Sequence, residues 1–177
     1  DGLSVERPKL LIEDQALFDQ ALERFPEDPR VLHEAGALLQ ALGDFPGSAD
    51  LFERSARLDP SRPRVLMLWL SSALRHLTDR AAFARRLQAN LAQDAGDDVS
   101  RFMLGVLQHY ENDFEGSNQT LSQVESVFDH EARVHVYLAM NDFNLGRRDE
   151  ALTRLEQQIA RYGGEGDPDL YYCRAEI

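Results

Sequence analysis

Apolar residues recur along this chain every three to four positions, which is the spacing of an amphipathic helix. In the stretch that begins at Pro29, the positions predicted to face inward on a first helix are Leu32, Ala35, Gly36 and Leu39. After a turn at Gly43, those of a second helix are Ser48, Phe52 and Ser55. No segment alternates apolar and polar residues over several positions, so the pattern predicts helix pairs and no strands.

The pattern repeats with a period of about 34 residues. The sequences GDFPGS at 43–48 and NDFEGS at 112–117 lie 69 residues apart, which is two periods plus one. We predict full repeats at 29–62, 63–97, 98–131 and 132–167, with a partial repeat or cap at 1–28 and the first helix of a further repeat at 168–177. The repeat at 63–97 is divergent, because it has Trp69 at position 7 and Leu70 at position 8, and its second helix is shifted by one residue around Phe83 and Leu87.

The order of residues within a repeat resembles the tetratricopeptide repeat, whose pattern is W-x-x-L-G-x-x-Y, then A-x-x-x-F, then P. The resemblance covers residues 11–177. It departs from the family at Arg101, which occupies position 4, and at Gln108 and Asp142, which occupy position 11. The resemblance implies an all-α fold, a right-handed α-solenoid of antiparallel helix pairs. In such a fold small residues let the two helices of a pair approach, and stacked pairs bury a continuous core.

Composition narrows the classes of partner. The chain has 177 residues and a net charge of −12, so we expect no nucleic-acid or anionic-membrane partner. No apolar run reaches the length of a membrane span. Lys9 is the only lysine among the basic residues, which favours a bacterial origin, and the compartment stays open between cytoplasm and periplasm. Both ends look cut, so we expect a piece of a longer repeat protein.

Candidate chemistry is sparse. His130 and His135 are five residues apart, about 140° around a helix, whereas the H-E-x-x-H zinc motif needs a separation of four. Cys173 has no partner cysteine and is better interpreted as a packing residue than as a nucleophile. The sequence RYGGEGDPD lacks the strand and the glycine order of a phosphate-binding loop. We therefore predict no catalytic residue, no metal and no cofactor, and hence no enzyme activity.

The resemblance implies that the first helices line a concave groove through positions 2, 5, 9, 12 and 13 of each repeat. The candidate partner-binding residues are then Arg64, Met67, Arg75, Phe102, Val106, His109, Tyr110, Arg133, Val136, Met140 and Phe143. Exposed apolar side chains of this kind mark binding surfaces. A shift of one residue would instead make them core between repeats. The arginines either pair with carboxylates of a ligand or balance acidic neighbours.

One known binding mode of the family is not expected. Receptors for chaperone tails hold a carboxylate with lysine, arginine and asparagine side chains at fixed positions. At those positions this chain has His33, Ala37, Leu68, Val99 and Met103.

Three functional hypotheses remain from the sequence. The first is a non-catalytic scaffold that binds a peptide or helix of a partner protein in the groove. The second is the repeat arm of a larger enzyme whose catalytic domain lies outside these residues. The third is a structural spacer that self-associates through its open ends, where Leu170, Tyr171 and Tyr172 lie.

Overall fold

The computed structural model describes residues 9–60, 63–76, 80–128, 132–162 and 168–177, and over these residues the chain is helical without a strand. The helices are α1 (Lys9–Arg24), α2 (Pro29–Ala41), α3 (Phe45–Leu58), α4 (Pro63–His76), α5 (Arg80–Gln93), α6 (Asp98–Tyr110), α7 (Phe114–Leu121), α8 (Ala132–Asn144), α9 (Arg148–Tyr162) and α10 (Pro168–Glu176). The chain divides into two compact units, Asp1–Arg80 and Ala81–Ile177, and the division falls at the start of α5.

Aspartates fix the starts of four helices. The side chain of Asp28 accepts hydrogen bonds from the backbone N–H groups of Arg30 and Val31 at the start of α2. Equivalent caps are formed by Asp44 at α3, Asp97 at α6 and Asp113 at α7. These bonds satisfy N–H groups that have no partner within the helix. The helices α2, α4, α6, α8 and α10 begin at the residues where the predicted repeats begin.

The turn inside a helix pair uses a left-handed backbone conformation. Gly43 has φ 82°, Gly146 has φ 79° and Asn112 has φ 64°. All three occupy position 15 of their predicted repeats. Glycine adopts this conformation without a steric cost and asparagine tolerates it better than most residues. The turn therefore has the same geometry in three repeats, although the residue differs.

In the first unit α2 packs against α3, and α3 against α4. Leu32 and Phe52 are fully buried, as the spacing predicted. A Cβ atom added to Gly36 would lie 2.9 Å from the ring of Phe52, so the small residue permits the close approach of the two helices. Ser55 donates a hydrogen bond of 2.6 Å to the carbonyl oxygen of Pro29, which fastens α3 to the start of α2.

In the second unit α8 contacts α6 on one side and α10 on the other, while α7 and α9 pack behind them. The close approach of α6 and α7 occurs at Gly105, where an added Cβ would lie 2.6 Å from Cγ of Leu121. The apolar core between α8, α9 and α10 consists of Ala132, Ala139, Ala151, Leu155, Leu170, Cys173 and Ile177. The helices α6, α8 and α10 thus form one layer, and α7 and α9 form the other.

The second helix of the predicted repeat at 98–131 is shorter than its pattern suggested. The helix α7 has 8 residues, and the chain then continues through turns to Phe128. Hydrogen bonds from Val124 N–H to Leu121 and from Val127 N–H to Val124 span three residues, which is tighter than an α-helix. Two β-branched valines and two serines give this segment a low helix propensity. Val124 and Phe128 are nevertheless buried, so the segment still closes the core.

Candidate functional site

Three aromatic rings of the second unit lie together where the last turn of α6 meets α8. The ring centroid of His109 lies 5.0 Å from that of Tyr137 and 5.5 Å from that of Tyr110. The two tyrosine rings are 6.2 Å apart, and their hydroxyl oxygens are separated by 3.3 Å. The rings meet edge to face, a favourable arrangement for aromatic pairs. We call His109, Tyr110 and Tyr137 the tyrosine patch.

A series of buried hydrogen bonds holds the tyrosine patch in place. Asn141, which is fully buried, donates from Nδ2 to Ser117 Oγ at 2.8 Å and to Asn118 Oδ1 at 3.0 Å. Both Nδ2 hydrogens are then used, so Oδ1 of Asn141 accepts from Nδ1–H of His109 at 2.6 Å. Ser117 in turn donates to the carbonyl oxygen of Gly105 at 2.7 Å. The imidazole of His109 is therefore held in one orientation, with a proton on Nδ1.

The hydroxyl group of Tyr137 stays protonated at neutral pH. Burial raises the pKa of Tyr137 above its ordinary value, and the hydrogen bond with Tyr110 raises it further. Tyr110 is 47% exposed, whereas Tyr137 is partly buried. The patch thus offers aromatic surface and hydroxyl groups, held in place by buried hydrogen bonds. A surface that is ordered before a ligand arrives loses less entropy on binding.

A buried aspartate stands next to this support. Asp142, which is 5% exposed, accepts a hydrogen bond of 2.8 Å from Nδ2 of Asn118. Its carboxylate lies 3.6 Å from Arg147 and 3.7 Å from Arg154. Two cations and a hydrogen bond compensate for the loss of hydration that burial imposes on the charge. Asp142, which departs from the family pattern at position 11, therefore forms ion pairs with Arg147 and Arg154 that stabilise the fold.

An open cavity of about 470 Å³ lies beside this ion pair. It is lined by Glu125, Asp142, Asp149, Glu150, Thr153, Arg154, Gln157 and Gln158. The guanidinium of Arg154 bonds to Glu125 at 2.6 Å, so a cation of the protein itself already neutralises part of this acidic lining. Across the described ranges no group of three or more His, Cys, Asp or Glu residues is arranged to bind a metal ion.

The structure divides the predicted groove residues into three groups. Those with exposed side chains are Arg75, Tyr110 and Phe143, and those with partly buried side chains are Met67, His109, Arg133, Val136 and Met140. Val136 and Met140 pack against the core between α8, α9 and α10. Arg75 belongs to the first unit and lies over the ring of Phe45 at 5.3 Å. The side chain of Arg64 and all of His130 lie outside the described residues.

Phe102 and Val106 require a correction. Both are 0% exposed, and the ring centroid of Phe102 lies 5.1 Å from that of Phe128. The expectation that these two side chains line an open groove is wrong, and the alternative of core packing applies to them. For Phe102 the cause is the turn segment after α7, which brings Phe128 against α6.

Tyr137 was not among the predicted contact residues. It occupies position 6 of its repeat, one residue beyond the contact position at Val136. The signal in the sequence was a tyrosine one helical turn after Arg133, at a position that the carboxylate-binding receptors of the family also use. Its partner Tyr110 is 27 residues away, so only the packing of α6 against α8 joins them.

The side chain of Cys173 packs in the apolar core between α8, α9 and α10. Cys173, a residue of α10, is 3% exposed, and burial raises the pKa of its thiol to about 11. The thiol therefore stays protonated at neutral pH, as suits a packing residue. In the part of the chain that the structure describes, no helix is both long and apolar enough to cross a membrane.

No protein-family model and no curated protein matches this sequence. Solved structures do match it. A thermophilic TPR protein of Thermus thermophilus, TTC0263, is 18% identical over 94% of this chain and 89% of its own, with a TM-score of 0.62. The chain has the tetratricopeptide-repeat fold. The predicted fold class, an all-α solenoid of antiparallel helix pairs, is thereby confirmed.

Two further tetratricopeptide-repeat structures show the same likeness. A repeat protein of Parabacteroides merdae ATCC 43184 is 15% identical over 94% of this chain and 64% of its own, with a TM-score of 0.59. YrrB, a TPR protein with an unusual peptide-binding site, is 17% identical over 95% of this chain and 84% of its own, with a TM-score of 0.55. These identities are low, so the likeness concerns the fold.

Proposed function

We propose that this tetratricopeptide-repeat chain is a non-catalytic interaction module that binds a peptide or helix of a partner protein on the layer formed by α6, α8 and α10. The observation that supports the proposal is the tyrosine patch, in which partly exposed aromatic rings are held by buried hydrogen bonds. Tyrosine is enriched among the residues that dominate binding energy at interfaces. Phe143, near the end of α8, is 37% exposed and offers further apolar surface on this helix.

The charge of the chain limits the class of partner. With 31 acidic and 19 basic residues, the chain repels phosphate backbones and anionic headgroups. A polypeptide partner is therefore favoured over nucleic acid or a membrane surface. YrrB, which shares the fold, is described by its peptide-binding site, and a similar use of the layer here is part of the proposal.

The test is a capture experiment that compares the immobilised wild-type chain with two variants. Tyr110→Ala combined with Phe143→Ala removes exposed aromatic surface, whereas Phe25→Ala removes an exposed aromatic ring between α1 and α2 of the first unit and serves as the matched control. We expect a partner that wild type and the control retain and the double variant loses, as measured by quantitative mass spectrometry. Circular dichroism should show that both variants keep their helix content. Equal retention by all three proteins would contradict the proposal.

A second candidate function is self-association through α10. Tyr172 is 70% exposed and Tyr171 is 39% exposed on this helix, whose buried side contacts α8 and α9. If α10 packs against another copy of the chain, the mass in solution should rise with protein concentration and Tyr172→Glu should abolish the rise. Sedimentation that shows only the monomer at every concentration would reject this candidate.

A further inference from the structure

The tyrosine patch lies at the negative end of a helix dipole. His109 and Tyr110 are the last two residues of α6, and Glu111 forms its C-cap. The carbonyl end of a helix bears partial negative charge and favours nearby cations. The exposed carboxylate of Glu111 adds a full negative charge next to Tyr110, and among the described residues it takes part in no ion pair.

The second unit as a whole is acidic. Residues 81–177 contain nine arginines and 17 acidic residues, a net charge of −8. Arg133 lies 3.5 Å from the carboxylate of Asp169, and of these two opposite charges Arg133 acts more strongly on the pKa of Tyr137. Asp169 offsets part of this positive charge, while Glu111, the end of α6 and the acidic background contribute negative potential at Tyr110.

Aromatic faces and negative potential together favour one kind of side chain. An arginine or lysine placed over a tyrosine ring is attracted by the ring quadrupole, and the attraction grows when the pair is shielded from water. The tyrosine hydroxyls can also accept hydrogen bonds from a guanidinium. A carboxylate would meet the opposite conditions at the same point, because Glu111 and the end of α6 repel it.

On the basis of the proposed function, we propose that the occupant of the tyrosine patch is an extended polypeptide segment that places an arginine or lysine over Tyr110 and Tyr137. Charge complementarity selects this class, since a basic segment is attracted to a unit of charge −8 while an acidic one is repelled. The support of His109 by Asn141 keeps the rings in place before the segment binds. Phe143 is then available to contact an apolar residue of the same segment.

The experiment selects ligands from a library of short random peptides displayed on phage, with the whole chain as target. Peptides retained by wild type are counter-screened against Tyr110→Ala, and the composition of those that are lost is read by sequencing. Selected peptides are then synthesised, and their Kd is measured by fluorescence anisotropy at low and high salt. We expect enrichment of arginine and lysine over aspartate and glutamate, and a Kd that rises with salt.

Two tyrosine variants separate the ring from its hydroxyl. Tyr110→Ala should raise the Kd of a selected basic peptide by about fivefold or more, because the ring face is lost. Tyr110→Phe keeps the ring and should change the Kd by less than about threefold. Phe25→Ala, between α1 and α2 of the first unit, is the control and should leave the Kd unchanged.

The possible outcomes separate this inference from the proposed function. If the peptides lost by Tyr110→Ala are acidic or uncharged, the inference about the basic segment is overturned while the binding function stands. If no retained peptide depends on Tyr110, both are overturned. If the retained sequences match segments of the chain itself, the surface is an interface between copies, and the basic-partner inference fails.

Discussion

The sequence DFxGS occurs once in each compact unit, and the two copies begin their helices in the same way. Asp44 accepts a hydrogen bond of 3.0 Å from the N–H of Gly47, and Asp113 accepts one of 3.0 Å from that of Gly116. In both copies a Cβ on the glycine would collide with the capping carboxylate. The local structure of the motif is thus determined by the motif itself.

The serine that ends each copy enters a different environment. Ser48 shares a hydrogen bond of 2.8 Å with Ser72, which also accepts one of 2.9 Å from Nε2 of Gln40. In the second unit the corresponding chain runs from Ser117 through Asn141 to His109. Ser72 and Asn141 both occupy position 10 of the following repeat, and Gln40 and His109 both occupy position 12 of their own.

The two hydrogen-bonded linkages thus occupy equivalent positions of their repeats but are formed by different types of side chain. In the first unit the linkage ends in the amide of Gln40, which bonds to two serine hydroxyls. In the second unit the longer Asn141 reaches an imidazole, and the imidazole contacts two tyrosine rings. A candidate binding surface therefore arises from two changed positions in a shared framework.

The largest effect should come from removing the central residue of the second linkage. Asn141→Ala removes the hydrogen bonds that link Asn141 to His109, Ser117 and Asn118 at a buried site, so we expect the free energy of unfolding to fall by about 3 kcal/mol. Urea unfolding followed by circular dichroism measures this loss. Nitrogen NMR of the His109 ring should also show that the preference for the Nδ1–H tautomer is lost.

The control for that change lies in the first unit. Ser72→Ala at the equivalent position removes a hydroxyl group only, and we expect a loss of about 1 kcal/mol. Equal losses for Asn141→Ala and Ser72→Ala would show that the two linkages are energetically alike, and the contrast between the units would then be wrong.

A smaller effect should follow when a methyl group is added to the glycines at which two helices approach most closely. In Gly105→Ala the new methyl meets Cγ of Leu121 at 2.6 Å, and we expect about 2 kcal/mol of destabilisation because a branch point near the backbone moves little. In Gly36→Ala the new methyl group meets the ring edge of Phe52 at 2.9 Å. Because the ring can shift, we expect about 1 kcal/mol of destabilisation. Thermal and urea unfolding compare the two variants, and a larger loss for Gly36→Ala would contradict this ranking.

The smallest loss of stability should come from substitutions in the turn that precedes each copy of DFxGS. Asn112→Ala places an alanine at φ 64°, and we expect a loss of about 1 kcal/mol from the left-handed backbone. Asn112→Gly should change the stability by less than about 0.5 kcal/mol, because glycine adopts this conformation freely. Gly43→Ala is the matched variant, since no atom lies within 4 Å of its added Cβ and only the backbone term acts. Urea unfolding measures all three, and a neutral Asn112→Ala would show that the turn relaxes in the second unit.

Much of the fold followed from the spacing of small and large residues. Gly36 faces Phe52 and Gly105 faces Leu121, as positions 8 and 24 of a repeat predicted. The short helix α7 was not foreseen, because its spacing resembled that of the longer α3 and the tight turns after Leu121 depend on local propensity. Of the predicted groove residues on α6, Tyr110 is exposed and His109 is partly buried, whereas Phe102 and Val106 lie in the core.

By itself the sequence determined the features that depend on neighbours within one repeat. The caps at Asp44 and Asp113 and the turns at Gly43 and Asn112 involve residues a few positions apart, so the residue types suffice to specify them. Tertiary structure alone decided which side chains of α6 and α8 are buried and which form the tyrosine patch. Tyr110 meets Tyr137, and His109 meets Asn141, across 27 and 32 residues, and such contacts depend on how adjacent helices pack.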